Sequence, residues 1–445
     1  GASNTAIGST SGSAITTGSS NTLVGHTVAS AATASNNTLI GAATGSTALG
    51  GNNTAVGFAT LDAAAGAVTD TAAVGANALG GALTTGANGT VAVGSSALVA
   101  LTSGASNTAI GSTAGSAITT GSYNTLVGHT TASAATVSNN TIIGAAAGTT
   151  TLGGNNTAVG VNTINSAATA VTDTVAIGAN ALTSALTTGA NGAVAVGSSA
   201  LTALTSGATN TALGQNAGST ITTGSSNTLI GHTTSAGATV SNNTIIGATA
   251  GATTLGGNNT AVGVNTLNSA AAAVTDTVAI GANALTSALT TGANNTVAVG
   301  SSALTALTSG AGNVAVGSSA LAAATTGASN TALGRNAGST ITTGSYNTLI
   351  GDNTAIAATS TLNTIVGRSS GGTSLGTGNT VVGPTSLNNA ASTGTYNIVV
   401  GRGSMTAAVT NNYNIAIGNS TLINLTTGAN NTAIGNTTNA VNVTT

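Results

Sequence analysis

"NTAIGSTAGSAITTGSYNTLVGHT", residues 107 to 130, states one phrase twice: Asn107-Thr-Ala-Ile-Gly111 and, seventeen residues on, Asn124-Thr-Leu-Val-Gly128. The phrase recurs along the chain. Aligned on the glycine that closes it, 26 copies run from Gly8 to Gly435, a mean period of about 17 residues. The residue before each of these glycines is Ile, Val or Leu, from Ile7 through Val196 to Ile434. A flexible Gly-Ser-Thr linker has no physical reason to hold such a column.

The spacings run 17, 16, 16, 18, 19 and 17 and then repeat, so six coils form a superunit of 103 residues. "GASNTAIG" at Gly1 returns at Gly104, as "GATNTALG" at Gly207 and as "GASNTALG" at Gly327. The chain therefore reads as one continuous solenoid, 1–445, in superunits 1–103, 104–206, 207–326 and 327–445. The third is longer by one whole coil, 310–326. A stacked array absorbs such an insertion as one more rung, whereas a globular domain would have to loop it out.

Within a coil, "NTAVG-x-x-AL" places apolar and β-branched residues in two short extended runs, with "TTG" and "NN" at the turns. Helix is disfavoured by Gly, Thr, Asn and Val. Alternation sends Thr and Val of "TAVG" to one face and Ala and Gly to the other. A coil this short buries neither face alone, so it must stack on its neighbours with hydrogen bonds along the stack. The fold class expected is all-β, a parallel β-solenoid of β-roll type, about 26 coils long. At ~4.8 Å per rung the expected rod is about 125 Å long and a couple of sheets wide. Asn stands four before the glycine in most coils (Asn4, Asn21, Asn37, Asn107, Asn124, Asn330), where an amide can bond to the Asn above and below. Thr71 and Thr90 replace it in longer coils.

Composition bounds the function. Charged residues are 2% of the chain against about 25% in an ordinary domain. There is no Lys, and the net charge is −2. General attraction to nucleic acid or to an anionic membrane, which needs clustered cations, is not expected. Without cysteine there is no disulfide or Cys-metal framework. No run approaches 18 unbroken apolar residues, and the aromatic girdles of a membrane barrel are missing, so no membrane insertion is expected. Gly1 falls inside a repeat, which implies that any signal peptide or anchor is removed or lies outside this sequence.

"VAVGSSAL" (Val194 to Leu201), "VAIGANAL" (Val175 to Leu182) and "NTAVG" (Asn156 to Gly160) resemble the head repeats of trimeric autotransporter adhesins, and similar repeats of phage tail fibres and bacterial surface fibres. The resemblance covers essentially the whole chain. It implies a left-handed parallel β-roll, three chains about an axis, and binding surface displayed outside the cell. The coils here are longer than the usual adhesin head coil, and the neck, stalk and anchor of that family have no counterpart in this sequence.

Candidate sites are few. His26, His129 and His232 recur one superunit apart, about 29 Å at six rungs, too far to share an ion, and Asp352 takes their place in the last superunit. Asp70, Asp173 and Asp276 recur in "VTDT" as isolated carboxylates, where glycan hydrolysis wants a pair. "GSSAL" lacks a positioned His and acid, and "GNNTAVG" is followed by no Lys as a phosphate loop would be. No catalytic, cofactor-binding or metal residue is assigned, and no enzyme activity or cofactor is expected. Sequons such as Asn52-Asn53-Thr54 could carry glycan.

The reading is an extracellular or cell-surface structural protein: a fibre or filament subunit serving surface extension or adhesion. Its expected partners are copies of itself, as a head-to-tail filament or a homotrimer, and a surface receptor or glycan. Ends that carry no charged or proline-rich cap lead to the head-to-tail expectation. The alternative is an ice-binding β-solenoid that uses Thr arrays.

Overall fold

The computed structural model describes residues 1–438, except 30, 32, 46, 47, 132–136, 149, 150, 253 and 390. It comprises two compact units, Gly1–Ser226 and Asn227–Thr445. Each is a β-solenoid of parallel strands, one three-residue strand per coil, thirteen to a unit. In the first unit the strands run from Thr5–Ile7 to Thr211–Leu213, in the second from Thr228–Ile230 to Thr432–Ile434. The register is uniform. Thr108 faces Thr125, Ala109 faces Leu126 and Ile110 faces Val127, and the next step pairs Thr125 with Thr141 in the same way. At ~4.8 Å per step, each unit stacks to about 58 Å.

The coil has one strand where the sequence predicts two extended runs, and each unit has one sheet where a couple were expected. The second run, "x-x-A-L", is a chain of turns. Its residues alternate into the left-handed region, as at Ser96 (φ 57°) and Leu98 (φ 49°), which breaks any ladder of paired strands. Stacking bonds nonetheless continue through the turns, for example from Leu98 N–H to Ala114 O (2.9 Å) and from Thr102 N–H to Thr119 O (2.7 Å). The 19-residue coils take up their extra length as short 3₁₀ turns at Thr85–Ala87, Thr188–Ala190 and Thr291–Ala293. The extra coil adds one rung: its strand Val314–Val316 pairs with Val297–Val299 on one side and Thr331–Leu333 on the other.

The invariant glycine follows from close approach of backbones. Gly334 sits at φ +137°, and a Cβ there would lie 2.5 Å from the carbonyl oxygen of Gly351 in the next rung. Both the torsion and the contact exclude a side chain.

The middle residue of every strand between the first and the last is buried. Leu126, Ile142, Ala158 and Ala176 are fully buried, while the Thr before and the aliphatic residue after stay partly or largely exposed. Core volume is balanced between two columns. At Ala92 and Ala158 a large residue fills the turn six places on, Leu98 or Ile164, whereas Ala109 is followed by Gly115, over which Leu98 and Leu126 of the adjacent rungs close. Ile142 is likewise followed by Gly148, and a Cβ on Gly148 would come within 2.8 Å of Ile142 Cδ1. Overfilled rungs are disfavoured because close-packed interiors tolerate little added volume.

Asn closes most rungs by a buried amide ladder, as its column in the sequence predicts. The Asn124 backbone N–H and Nδ2 both donate to Asn107 Oδ1 (3.1 and 3.0 Å), and Asn140 does the same to Asn124 Oδ1. Spare Nδ2 protons go to turn carbonyls, as from Asn124 to Val137 O (2.8 Å). At Thr174 the ladder ends: its N–H takes Asn156 Oδ1, and its hydroxyl turns back to Thr172 O. In the second unit the ladder runs unbroken through eight residues, from Asn313 to Asn431.

Candidate functional site

The feature that dominates each unit is the outer face of its sheet. Three columns lie on it: the first strand residue (mostly Thr), the third (Ile, Val or Leu), and the residue after the glycine. The third strand position is apolar throughout yet faces outward. Ile110 keeps 42% of its surface exposed and Leu213 47%. Beyond the glycine, Phe58 and Val161 in the first unit and Val264 in the second add further exposed apolar groups. The sequence marks this column clearly, but its burial is not legible there, since an unbroken aliphatic column reads equally as core.

The sequence-selected histidines and aspartates lie on the surface. His26, His129 and His232 follow the rung glycine, exposed, each within hydrogen-bonding distance of its neighbouring Thr hydroxyl (2.8, 2.9 and 3.1 Å). Among the described residues, no three His, Asp or Glu side chains gather into a group that could hold a metal ion.

The aspartates close short exposed amide chains that the sequence reading did not foresee. Asn36 Nδ2 donates to Asn52 Oδ1 (3.1 Å), and Asn52 Nδ2 to Asp70 Oδ1 (2.9 Å). The same triplet recurs as Asn139, Asn155 and Asp173, and as Asn242, Asn258 and Asp276. A carboxylate only accepts, so it fixes the orientation of both amides. Hydrogen bonds from the Thr69 side chain and then Asn52 hold the Asp70 carboxyl below the usual 3.8, and Thr172 and Asn155 do so for Asp173. Partial desolvation pushes Asp62 the other way, against a backbone hydrogen bond that lowers it.

The four tyrosines share one place in the coil, five before the glycine, with positive φ and exposed rings: Tyr123, Tyr346, Tyr396 and Tyr413. Tyr396 and Tyr413, on successive rungs, stack with centroids 5.5 Å apart and planes 6° from parallel. A shallow hollow of about 230 Å³ lies beside Asn353, Ser369, Gly371 and Asn388 in the second unit, without a charged group in its lining. Among the described residues, no helix is long and apolar enough to cross a membrane. No protein-family model and no curated protein sequence matches the chain.

Proposed function

We propose that the chain is an extracellular structural protein with no enzymatic role: a fibre or filament subunit that extends or coats a surface, or adheres to one. The observation that carries this reading is the outer sheet face, whose strand columns hold no charged residue and expose an aliphatic column in register over the strands of each unit. Contiguous exposed apolar surface of this kind marks an interaction site. A partner that matches it along its length needs the same rung repeat, and a second copy of the chain has it. Self-association as a homotrimer or filament therefore covers the uncharged stretches of the face, with little charge repulsion to oppose it at a net charge of −2. Scarcity of Lys and Arg, and a backbone bonded rung to rung, suit exposure to proteases.

The test is sedimentation and electron microscopy of the purified chain beside a variant with Ile110→Lys and Ile143→Lys, two outward positions on the face. Assemblies that fall apart to monomers in the variant are expected. A wild-type chain that stays monomeric at every concentration overturns the reading.

One observation favours a second reading, ice binding: Thr5, Thr22, Thr38 and Thr54 occupy one outward column at successive rungs, Cα paired with Cα. The adjacent outward column is aliphatic rather than Thr, so the array is a single hydroxyl row. Absence of thermal hysteresis in solutions of the chain disposes of it.

A further inference from the structure

Arg335, Arg368 and Arg402 are all the Lys and Arg the chain contains. Each directly follows a rung glycine, so the fold sets them in one column on the second unit. The backbone shows the alignment: Asn353 N–H donates to Arg335 O, Ser369 N–H to Asp352 O, Thr385 N–H to Arg368 O, Gly403 N–H to Pro384 O, and Ser420 N–H to Arg402 O. The arginines therefore stand on alternate rungs, a step of about 9.6 Å. All three are exposed. Asp352 lies between the first two and binds Arg335 through both carboxylate oxygens (3.0 and 3.1 Å). That pair is the only salt bridge among the described residues, so neither Arg368 nor Arg402 has a carboxylate partner.

The column before the strand, on the other side of the same face, changes character over the same rungs. Tyr346, Leu362, Tyr396 and Tyr413 expose their side chains there. Tyr396 lies over Gly378, where a Cβ would come within 2.5 Å of its ring, so the stack has a flat floor. The corresponding places one superunit earlier are Ala248 and Ala282 for Arg368 and Arg402, and Asn242 and Asp276 for Leu362 and Tyr396. The rung glycines are unchanged over these rungs and the buried Asn ladder runs through them, with Asn397 in place of Thr277, so the altered outward residues are ones that stacking does not require.

We propose that this stretch of the face binds a linear acidic polysaccharide, laid along the stack. Its carboxylate or sulfate groups meet Arg368 and Arg402, and a sugar ring rests against the tyrosine side. Guanidinium groups suit such anions through paired hydrogen bonds. An extended disaccharide is about as long as two rungs, so one anionic group per disaccharide matches the arginine step. The inference deepens the adhesive side of the proposed function and rests on it for its setting, but its site lies apart from Ile110 and Ile143.

The test uses the full chain with chondroitin sulfate as probe, and neutral dextran, poly(dT) and anionic phospholipid vesicles as comparisons. Binding to chondroitin sulfate alone, weakened by added salt, is expected. The double variant R368Q/R402Q should lose about tenfold or more in affinity, and Tyr396→Ala should lose severalfold, while His129→Gln changes nothing. Circular dichroism confirms that each variant keeps its fold. Unchanged binding in R368Q/R402Q, equal binding of poly(dT) or vesicles, or no binding by the wild-type chain overturns the inference. Assembly measured in parallel separates the two ideas: fibres without glycan binding sink this site alone, and glycan binding by a permanent monomer sinks only the fibre.

Discussion

Replacing Asn347 by Ala tests whether the buried amide ladder holds the rungs together. Asn347 Nδ2 donates to Asn330 Oδ1 and to Ser360 O (both 2.9 Å), and its Oδ1 accepts from Asn363 N–H (3.0 Å) and Nδ2 (3.3 Å). After truncation, Asn330 Oδ1 keeps the Asn347 backbone donor, and Asn363 Nδ2 keeps Thr361 O. Two buried groups are left unpaired, the Asn363 N–H and the Ser360 carbonyl. At roughly 1–3 kcal/mol for each, and with water able to enter the vacated space, the expected loss is about 3 kcal/mol. The matched control is Asn419→Ala. Asn419 Nδ2 also donates across one rung to an Asn oxygen, that of Asn436 (3.2 Å), but on the exposed surface, and its loss should cost within about 0.5 kcal/mol. Repeat arrays need not unfold in one step, so the readout is local: amide hydrogen exchange at Thr348 and Thr364, whose N–H groups bond the next rung. About 3 kcal/mol corresponds to roughly a hundredfold faster exchange at those amides. Equal effects of N347A and N419A would refute the argument that burial gives the ladder its strength.

Three further outcomes are expected. Gly334→Ala should cost about 3 kcal/mol or more in thermal or denaturant unfolding, because its Cβ meets the Gly351 carbonyl; Gly403→Ala, with nothing nearer than Ser420 Oγ at 3.9 Å, should cost only about 1 kcal/mol for its left-handed torsion, and equal losses would dismiss the close-contact explanation. Thr234→Val should stabilise by about 1 kcal/mol, since the Thr234 hydroxyl is buried without a partner and Val28 already fills the equivalent place in the first superunit; a destabilised variant would show that the hydroxyl is satisfied. Carboxyl NMR titration should place Asp70 and Asp173 below 3.8 and Asp62 above it. Lowered native values favour the ionised form, so the contribution of Asp70 and Asp173 is present above 3.8 and lost as pH falls through their native midpoints. Finding Asp70 to titrate above Asp62 would contradict the Asn52 and Thr69 contacts.

The solenoid itself was legible in the sequence. The glycine column, with Ile, Val or Leu before it from Ile7 to Ile434, fixed the period, and the indel of one whole coil fixed the unit of stacking. The Asn ladder was equally readable, because a short amide repeated at one place in a stacked turn has its own copies as nearest partners. Less was legible about the surface. Alternation in Thr125-Leu-Val127 says that Leu126 opposes its neighbours, but both faces carry apolar side chains, so hydrophobicity cannot choose the inner one. Tertiary structure makes that choice through the turn residues: Ile118, Leu98 and Gly115 close around Leu126, leaving no room for a second inward column and turning Val127 to the outside. The second predicted strand failed for a related reason, since Leu98 reaches the core only from a left-handed turn. The arginine row was hidden for a different one: residues 33 or 34 apart in the chain come to stand on alternate rungs only when each coil stacks directly on the last, and the ladder of backbone bonds decides that they do.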